Sequence, residues 1–334
     1  MHEPRFPYTI DAELTENGCT ELVLIPTPPL PALIRNAGRE AERRFLEFFV
    51  ADIRNPGTRR VYAHAVSRFC EWCELRGVGL PAVSPLVVAA YIEQLTRRRR
   101  APTVKQHLAA IRRLFDWLVV GQVLPSNPAA SVRGPKHVVK TGKTPVLTAC
   151  EARQLLDAID CRTIIGLRDR ALIGVLVYSF ARVSAAIGMN VADYYPQGRR
   201  MWFRLCEKGG KQHAVPAHHN AEAYLDAYLD AARGTEAKTL PLFRTISREK
   251  TLTDRRMHRI DVLRMIKRRA ALAGLPTSIG CHTFRATGIT CYLFGGGSLE
   301  HAQRIAAHES ARTTKLYDRT GDGVSLDEIE RIVI

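Results

Sequence analysis

The sequence of 334 residues lacks any apolar run long enough to cross a bilayer. Its longest strongly apolar stretch, residues 171–181, has eleven residues, whereas a membrane-spanning helix needs about 20. The first residues, "MHEPRFPYTIDAEL", also lack the basic and then apolar order of a signal peptide. These two absences predict a cytoplasmic protein without membrane contact.

Paired cysteines and clustered carboxylates are also scarce. Of eight cysteines, only Cys70 and Cys73 have the spacing of metal ligands, and no second pair accompanies them. Because both lie in an amphipathic helical pattern, we interpret them as packing thiols. His213, His218 and His219 lie together in "HAVPAHHN", which we interpret as a loop or helix entry. The sequence therefore predicts no metal site and no cofactor.

Negative charge is in deficit. The chain has 49 Lys and Arg against 33 Asp and Glu, a net charge of +16, and residues 35–147 contribute +12 of it. A positive field so concentrated favours a polyanionic partner, most simply nucleic acid. In "TRRRRAPTVKQHLAAIRRL" we select Arg98, Lys105 and Arg112 as candidate DNA contacts. The alternative for each of the three is a solvated helix face.

Prolines, glycines and hydrophobic periodicity divide the chain into four segments. We predict an extended N-terminal arm over residues 1–37, a helical domain over 38–133, a linker over 134–147 and a second domain over 148–334. The arm is acidic and contains "IPTPPLP", which disfavours helix. The linker is rich in proline, glycine and cations, as interdomain segments often are.

The second domain is expected to be mainly helical. It opens with a capping box in which Glu151 follows Thr148 by three residues. Two helices are predicted next, followed by two short β-type runs around "EKGGK", which indicate a hairpin. The remainder is predicted to be mostly helical. The fold class is therefore mainly α with a small β-sheet or hairpin: an all-helical domain followed by a mixed α/β domain.

Several side chains in the second domain could take part in chemistry. Arg182 lies where a buried helix breaks, and Lys208 lies in the hairpin turn beside two glycines that allow close approach of a ligand. His282 and Arg285 share one face at the start of a helix, where the helix dipole favours an anion. Each of these residues alone is more often structural than functional. The complete candidate set is Arg182, Lys208, His282, Arg285, His308 and Tyr317.

Taken in order, these residues resemble the four sequence boxes of the tyrosine recombinases, the superfamily that includes phage integrases. The boxes are found in "FARVSA", "EKGGK", "HTFR" and "AAHESARTTKLY". Together they are far more specific than H-x-x-R alone. The resemblance covers roughly residues 38–320, because the helical domain with its "SNPA" exit is similar to the core-binding domain of that family.

The resemblance implies a site-specific recombinase or integrase that forms a 3′-phosphotyrosyl link to double-stranded DNA. It implies Tyr317 as the nucleophile, Arg182 and Arg285 as the groups that bind the phosphate oxygens, and Lys208 as the general acid. His282 is the implied base, and His308 is the implied hydrogen-bond donor to phosphate. It further implies a homotetramer on DNA, a possible partner recombinase, a mobile element as source, and a bacterial protein associated with the nucleoid.

The chain departs from the family pattern at two positions. Ala185 stands where the family has an acidic residue three positions after the first arginine, so the support that this acid gives is missing or supplied elsewhere. Ala307 replaces the glycine before the last histidine.

The C-terminal segment "SLDEIERIVI" has the pattern of an amphipathic helix, with Leu326, Ile329 and Ile332 on one side. It could dock on a neighbouring protomer or on its own domain.

Three other functions remain open from the sequence. The first is a topoisomerase of type IB, which uses similar chemistry but relaxes supercoils as a monomer. The second is a DNA-binding protein of the same fold that has lost catalysis, for which Ala185 is the one supporting feature. The third is a metal-dependent nuclease, which the shortage of clustered carboxylates disfavours.

Overall fold

A computed structural model describes most of the chain, which divides into two compact units between Val138 and Val139. The division falls inside the segment predicted as a linker. The two strands before residue 29 are described for their backbone only. The described ranges are 8–14, 20–26, 29–139, 142–207, 209–232 and 237–318.

The N-terminal arm predicted over residues 1–37 is extended only in part. Tyr8–Leu14 (β1) and Thr20–Pro26 (β2) form an antiparallel pair. Ala32–Arg35, in contrast, form a short helix (α1). The prediction is wrong there because two apolar side chains of this turn are buried in the core of the first unit, and that burial outweighs the disfavouring effect of the preceding prolines.

The first unit is otherwise built from four longer helices, as the periodicity predicts. The first of them continues into a π-helical turn, Phe48–Asp52. Their bounds are Arg39–Glu47 (α2), Pro56–Glu74 (α3), Pro85–Arg98 (α4) and Ala101–Val120 (α5).

Local capping sets the starts of α3 and α4. The Asn55 side chain accepts hydrogen bonds from the backbone N–H groups of Gly57 and Thr58, and Pro56 follows it at the first helical position. In α4 the Ser84 hydroxyl has the same role. Such caps satisfy N–H groups that have no partner within the helix, and each stabilises its helix by about 1 kcal/mol.

Aromatic side chains fill the core between these helices. Phe69 of α3 meets Phe115 of α5 with ring centroids 6.0 Å apart, edge to face. Cys70 and Cys73 are buried in the same core as free thiols, as predicted. Both thiols therefore pack against apolar side chains of this core.

The second unit contains eight α-helices, one short 3₁₀-helix (Val191–Asp193) and five strands in its described part. The helices are Ala149–Asp157 (α6), Ile164–Tyr178 (α7), Val183–Gly188 (α8), His219–Ala232 (α9), Arg259–Leu272 (α10), Cys281–Phe294 (α11), Leu299–Ile305 (α12) and Ala311–Lys315 (α13). The strands are Tyr194–Gln197 (β3), Arg200–Cys206 (β4), Gln212–Pro216 (β5), Arg244–Ile246 (β6) and Leu252–Arg256 (β7).

The predicted capping box and hairpin are both present. Glu151 and Thr148 exchange the two hydrogen bonds of a capping box at the start of α6. Strands β4 and β5 are antiparallel, with Phe203 opposite Val215, and β3 pairs with the other edge of β4. The register buries Phe203 and Val215 on the core side of the sheet.

The predicted, mostly helical remainder of this domain also contains two short strands, β6 and β7, which form an antiparallel pair. The pair is short, and its residues are mostly Arg, Thr and Asp, so it lacks the alternation of apolar and polar residues that signals a strand. The third strand of the larger sheet, β3, has only four residues and was missed for the same lack of signal.

Helix α7 is the centre of the second unit and is buried along most of its length. Helix α11 approaches it closely at Gly288, where a Cβ atom would clash with the Val177 carbonyl oxygen and lie 2.8 Å from Cδ1 of Phe180. This contact fixes α11, and therefore His282 and Arg285, against the end of α7. In the part of the chain that the structure describes, no helix is both long and apolar enough to cross a membrane.

Candidate active site

The candidate site begins where α7 ends. Ser179 closes α7, Phe180 takes the left-handed backbone conformation with a φ of 55°, and the chain turns sharply into α8. Arg182 is the N-cap residue of α8 and has an extended backbone. Because it stands between two helices, its side chain projects from a rigid base, and 27% of that side chain is exposed.

A buried carboxylate holds Arg182 from the tip of the β4–β5 hairpin. One oxygen of Glu207 pairs with Nη1 of Arg182, and the other accepts a hydrogen bond of 3.3 Å from the Arg182 backbone N–H. Only 3% of the Glu207 side chain is exposed. Glu207 is not among the site residues that the sequence predicts.

The hairpin turn itself is formed by glycines. Gly209 and Gly210 both have positive φ, 85° and 77°, which only glycine adopts without strain. The Glu207 N–H donates to the Lys211 carbonyl oxygen at 2.8 Å. Lys208, the predicted general acid, lies outside the described residues.

Arg285 is buried beneath the site. Its side chain is 1% exposed, and it donates hydrogen bonds to the carbonyl oxygens of Phe180 and Ala306, the latter at 2.6 Å. Its Nη1 lies 3.9 Å from Oε1 of Glu207. Burial, together with the charge of Arg182, lowers the pKa of Arg285 to about 10, so this guanidinium is charged at neutral pH.

His282 lies one helical turn before Arg285 on α11. Partial desolvation of its ring, then the charges of Arg285 and Arg182, lower its pKa, whereas Glu207 raises it. The net direction is downward because the first three effects oppose a second positive charge at this place. At neutral pH the imidazole is therefore uncharged and able to accept a proton.

His308 and Tyr317 lie next to each other around α13. The His308 ring is parallel to the Tyr317 ring, with centroids 5.9 Å apart and 7° between the planes. Nδ1 of His308 is 2.9 Å from the hydroxyl of the fully buried Thr314. The Thr290 hydroxyl of α11 donates to the Tyr317 carbonyl oxygen at 3.0 Å. Tyr317 also acts electrostatically on the Arg285 guanidinium and raises its pKa, an effect smaller than the opposing effect of burial.

Burial is the largest cause of the pKa shift of His308, followed by the positive charges of Arg285 and Arg182. They lower its pKa from the ordinary value of 6.5 to about 3. Since the folded-state pKa lies below the unfolded one, protonation favours unfolding. The contribution of the neutral His308 to the free energy of unfolding is therefore fully present above about pH 6.5 and is lost as the pH falls toward 3.

We expect His308→Gln to flatten the acid side of the stability profile. Between pH 6 and pH 4, the wild-type free energy of unfolding should fall up to about 1.4 kcal/mol per pH unit faster than that of the variant. Urea titrations across this range measure the difference. Thr314→Val, which removes the hydroxyl but keeps the imidazole, should lower stability without changing the slope. A variant as steep as the wild type would contradict the assignment.

The structure thus brings together five of the six predicted catalytic residues. We call this group, with the additional carboxylate, the arginine–tyrosine cluster; its members are Arg182, Glu207, His282, Arg285, His308 and Tyr317. It combines two fixed guanidinium groups, two histidines that are neutral at pH 7 and a tyrosine hydroxyl. Two planar cations beside one hydroxyl suit a tetrahedral anion that is to be attacked by that hydroxyl.

Comparison with known proteins identifies the same two parts of the chain. The sequence profile of the phage integrase family matches residues 145–322. That of the N-terminal SAM-like domain of phage integrases matches residues 43–121. The chain belongs to the phage integrase family of tyrosine recombinases. It is a tyrosine-type site-specific recombinase.

Individual recombinases are similar to this chain in sequence or in fold. It is 30% identical over 288 residues to the tyrosine recombinase XerD of Corynebacterium glutamicum, covering 81% of this chain and 89% of that protein. The fold matches that of the XerH recombinase bound to a palindromic difH substrate, with a TM-score of 0.67, 17% identity, and coverage of 89% and 84%. A lambda integrase tetramer bound to a Holliday junction gives a TM-score of 0.61, 17% identity, and coverage of 86% and 79%.

The two departures from the family pattern have structural counterparts in the recombinase. Ala185 is buried on α8, while the carboxylate beside Arg182 comes from Glu207. Ala307 has a φ of 47°, in the left-handed region that glycine adopts most easily. The backbone before His308 therefore keeps the conformation of a glycine turn at some cost in strain.

The histidines in "HAVPAHHN" have structural partners in the recombinase. Nε2 of His213, on β5, is 2.9 Å from the Ile305 carbonyl oxygen. His218 accepts a hydrogen bond from the Asn220 N–H at the entry of α9. Across the residues that the structure describes, no group of three or more His, Cys, Asp or Glu side chains could hold a metal ion.

The three predicted DNA contacts differ in their exposure to solvent. Arg98 and Lys105 are exposed, at the end of α4 and on α5. Arg112, expected as an exposed cation, is half-buried, and its guanidinium donates to the carbonyl oxygens of Ala129 and Val132. Ala129 and Val132 are buried, so their carbonyl groups need a donor within the protein, and Arg112 supplies it. The side chain therefore holds the segment that follows α5.

Proposed function

We propose that this recombinase cuts and rejoins double-stranded DNA at a specific site through a covalent bond between Tyr317 and a 3′-phosphate. The observation that carries the proposal is the position of Tyr317. Its ring lies parallel to that of His308, and its carbonyl oxygen accepts a hydrogen bond from Thr290 of α11, the helix that also carries Arg285.

In this proposal the arginines bind the non-bridging oxygens of the scissile phosphate. Arg182 has part of its guanidinium exposed, and Arg285 uses only two of its five N–H donors on carbonyl groups. With a pKa of about 10, Arg285 is charged at neutral pH. Because the phosphorane carries more negative charge than the phosphodiester, both contacts strengthen as the transition state forms, and that difference lowers the barrier.

Two protons must move as the bonds change. The Tyr317 oxygen attacks phosphorus and its proton passes to a base, for which the neutral His282 is the candidate. The bond from phosphorus to the 5′-oxygen breaks, and that oxygen takes a proton, for which Lys208 is the candidate acid. His308 donates a hydrogen bond to phosphate from Nε2 while its Nδ1 accepts one from Thr314. A 5′-hydroxyl of another strand reverses these steps and rejoins the DNA.

The structure weakens the case for a catalytically inactive DNA-binding protein. That alternative depended on Ala185, the missing acid near Arg182. A buried carboxylate does contact Arg182, from Glu207. The geometry expected of an active site is therefore compatible with Ala185.

A nicked DNA duplex tests the proposal. Cleavage near the nick releases a short fragment, so the religation partner is lost and the phosphotyrosyl adduct accumulates. We expect a slower-migrating protein band in denaturing gels that resists EDTA. Cleavage that needs a metal and leaves no adduct would indicate a nuclease, and relaxation of supercoils without strand transfer to a second duplex would indicate a topoisomerase. Sequencing the trapped strand identifies the target and shows whether it belongs to a mobile element.

We further propose four protomers on two duplexes, since recombination needs two cuts in each duplex. The lambda integrase tetramer on a Holliday junction has the same fold, which supports this assembly. A partner recombinase would replace two of the four protomers. Analytical ultracentrifugation of the adduct separates the four-protomer complex from smaller ones.

A cationic cleft in the first unit supports DNA binding there. The cleft has a volume of about 1320 Å³, and Arg68, Arg76, Arg98 and Arg99 are among its lining residues. Arg76 also stacks over the ring of Trp72, 4.0 Å from its centroid. Several arginines on one concave surface suit the closely spaced phosphates of a duplex.

We expect Arg98→Ala and Lys105→Ala each to weaken DNA binding about equally for specific and unspecific sequences. Each should reduce the slope of log K against log salt concentration by about 1, because one phosphate contact is lost. Fluorescence anisotropy at several salt concentrations measures the slope. Arg112→Ala is the matched control, since it should lower stability and leave the slope unchanged. Unaltered slopes in both exposed-residue variants would remove these two contacts from the proposal.

A further inference from the structure

The carboxylate beside Arg182 has an unusual origin. It is not on α8, which Arg182 starts, but on the hairpin that follows β4. Glu207 is 25 residues away in sequence from Arg182, yet it contacts both the side chain and the backbone of that residue. Its burial means that these contacts replace its hydration rather than supplement it.

The hydrogen bond from the Arg182 backbone N–H shows that Glu207 takes the place of an acidic side chain at position 185. Arg182 is the N-cap residue of α8, and Ala185 is the third residue of that helix. In a capping box, a glutamate at the third position accepts a hydrogen bond from the N–H of the N-cap residue. That N–H here donates to Oε1 of Glu207 at 3.3 Å. Glu207 therefore makes the contact that a glutamate at position 185 would make.

The charge of Glu207 is also needed where it lies. Its two oxygens are shared between the guanidinium of Arg182 and that of Arg285, whose Nη1 is 3.9 Å away. Two buried or half-buried guanidinium groups so close together repel each other, and a single carboxylate between them offsets that repulsion. Without it, the Arg182 side chain would be free to turn away from Arg285.

We infer that Glu207 is the positioning residue that holds Arg182 in the orientation needed for phosphate binding, in place of an acid at position 185. This inference rests on the proposed function. Glu207 does not touch the reacting atoms; it acts through Arg182. Its effect should therefore appear in the rate of bond cleavage much more than in DNA affinity.

The test measures the single-turnover rate of adduct formation on the nicked duplex, together with DNA affinity and melting temperature. We expect Glu207→Ala to slow adduct formation about 100-fold, the loss typical of a misplaced catalytic group. Glu207→Gln keeps the shape and the backbone contact but loses the charge, and should slow it about tenfold. DNA affinity should change less than about threefold in both variants, because binding depends mainly on other phosphate contacts.

Rescue by a second change makes the test specific. Ala185→Glu combined with Glu207→Ala places a glutamate at the third position of α8, and we expect it to recover at least about tenfold of the lost rate. A purely structural role of Glu207 would not respond to a carboxylate at that position. Asp193→Asn is the matched control: Asp193 also binds a backbone N–H and pairs with an arginine, but it lies outside the arginine–tyrosine cluster, so the rate should be unchanged.

The possible outcomes distinguish a failure of the role of Glu207 from a failure of the proposed DNA cleavage by Tyr317. A wild-type protein that forms no adduct contradicts the proposed function. An adduct formed by the wild type and, at the same rate, by Glu207→Ala and Glu207→Gln overturns the inference alone. A faster rate in these variants also overturns it, because Glu207 would then compete with phosphate for Arg182. Should Glu207→Ala fail to fold, the isosteric Glu207→Gln, with and without Ala185→Glu, decides the question.

Discussion

Replacing Tyr317 with phenylalanine should abolish the covalent adduct with nicked DNA, reducing its rate of formation by at least about 10⁴-fold. The change removes one oxygen atom, the proposed nucleophile, and no other group of the cluster can take its place. The ring itself, which lies parallel to His308, is kept. DNA affinity and melting temperature should therefore stay close to the wild-type values.

Tyr292→Phe is the matched control for this variant. Tyr292 belongs to the same small apolar cluster as Tyr317, but its ring contacts Phe180 rather than Arg285. Its loss of a hydroxyl should leave adduct formation unchanged. If Tyr317→Phe still formed the adduct, peptide mapping of the DNA-linked fragment would locate the true nucleophile, and the proposed role of Tyr317 would be withdrawn.

Arg182→Ala and Arg285→Ala should each leave DNA binding largely intact and reduce cleavage by about 10³-fold. Each removes a preorganised cation from the oxygens on which charge develops, and the loss of one such donor typically costs 10²–10³ in rate. The measurements are the single-turnover rate of adduct formation and the dissociation constant for the uncut duplex. A loss of binding equal to the loss of cleavage would argue against the roles assigned to both residues.

The two arginine variants should differ in stability. Arg285 is buried and satisfies the carbonyl groups of Phe180 and Ala306, so its removal leaves those groups unpaired beside a cavity. We expect a loss of about 3–5 kcal/mol in the free energy of unfolding. Arg182 is partly exposed, and Glu207 keeps a second guanidinium 3.9 Å away, so the loss should be smaller. Arg182→Lys, which preserves the charge, tests whether the planar guanidinium is needed.

Much of the fold is predictable because local signals and burial agree. Ser84 followed by Pro85 marks the start of α4, and Gly121 marks the end of α5, within the bounds that the structure has. The β6–β7 pair is not predictable in this way, since its polar residues carry no periodicity. Helix α1 is also unpredictable locally, because its stability comes from the core that it covers.

The candidate site is predictable to a similar degree. Four motifs in order are sufficient to select Arg182, His282, Arg285 and the residues around α13, because their spacing is local to each helix. Glu207 was missed because its role depends on how the hairpin packs against the start of α8, a contact that no local pattern encodes. The signal was nevertheless present: an acid is absent at Ala185, and one occupies the first position of "EKGGK".

One polypeptide contributes the phenol of Tyr317, the imidazole parallel to it and both arginines of the arginine–tyrosine cluster. Under the proposed function, each chain therefore carries its nucleophile together with the guanidinium groups that bind the phosphate which that nucleophile attacks. In a mixed assembly, a protomer without the phenol and a protomer without Arg182 could not complement each other. A defective protomer would leave its own half-site uncut, and the intact neighbouring protomers would cut only the half-sites to which they are bound.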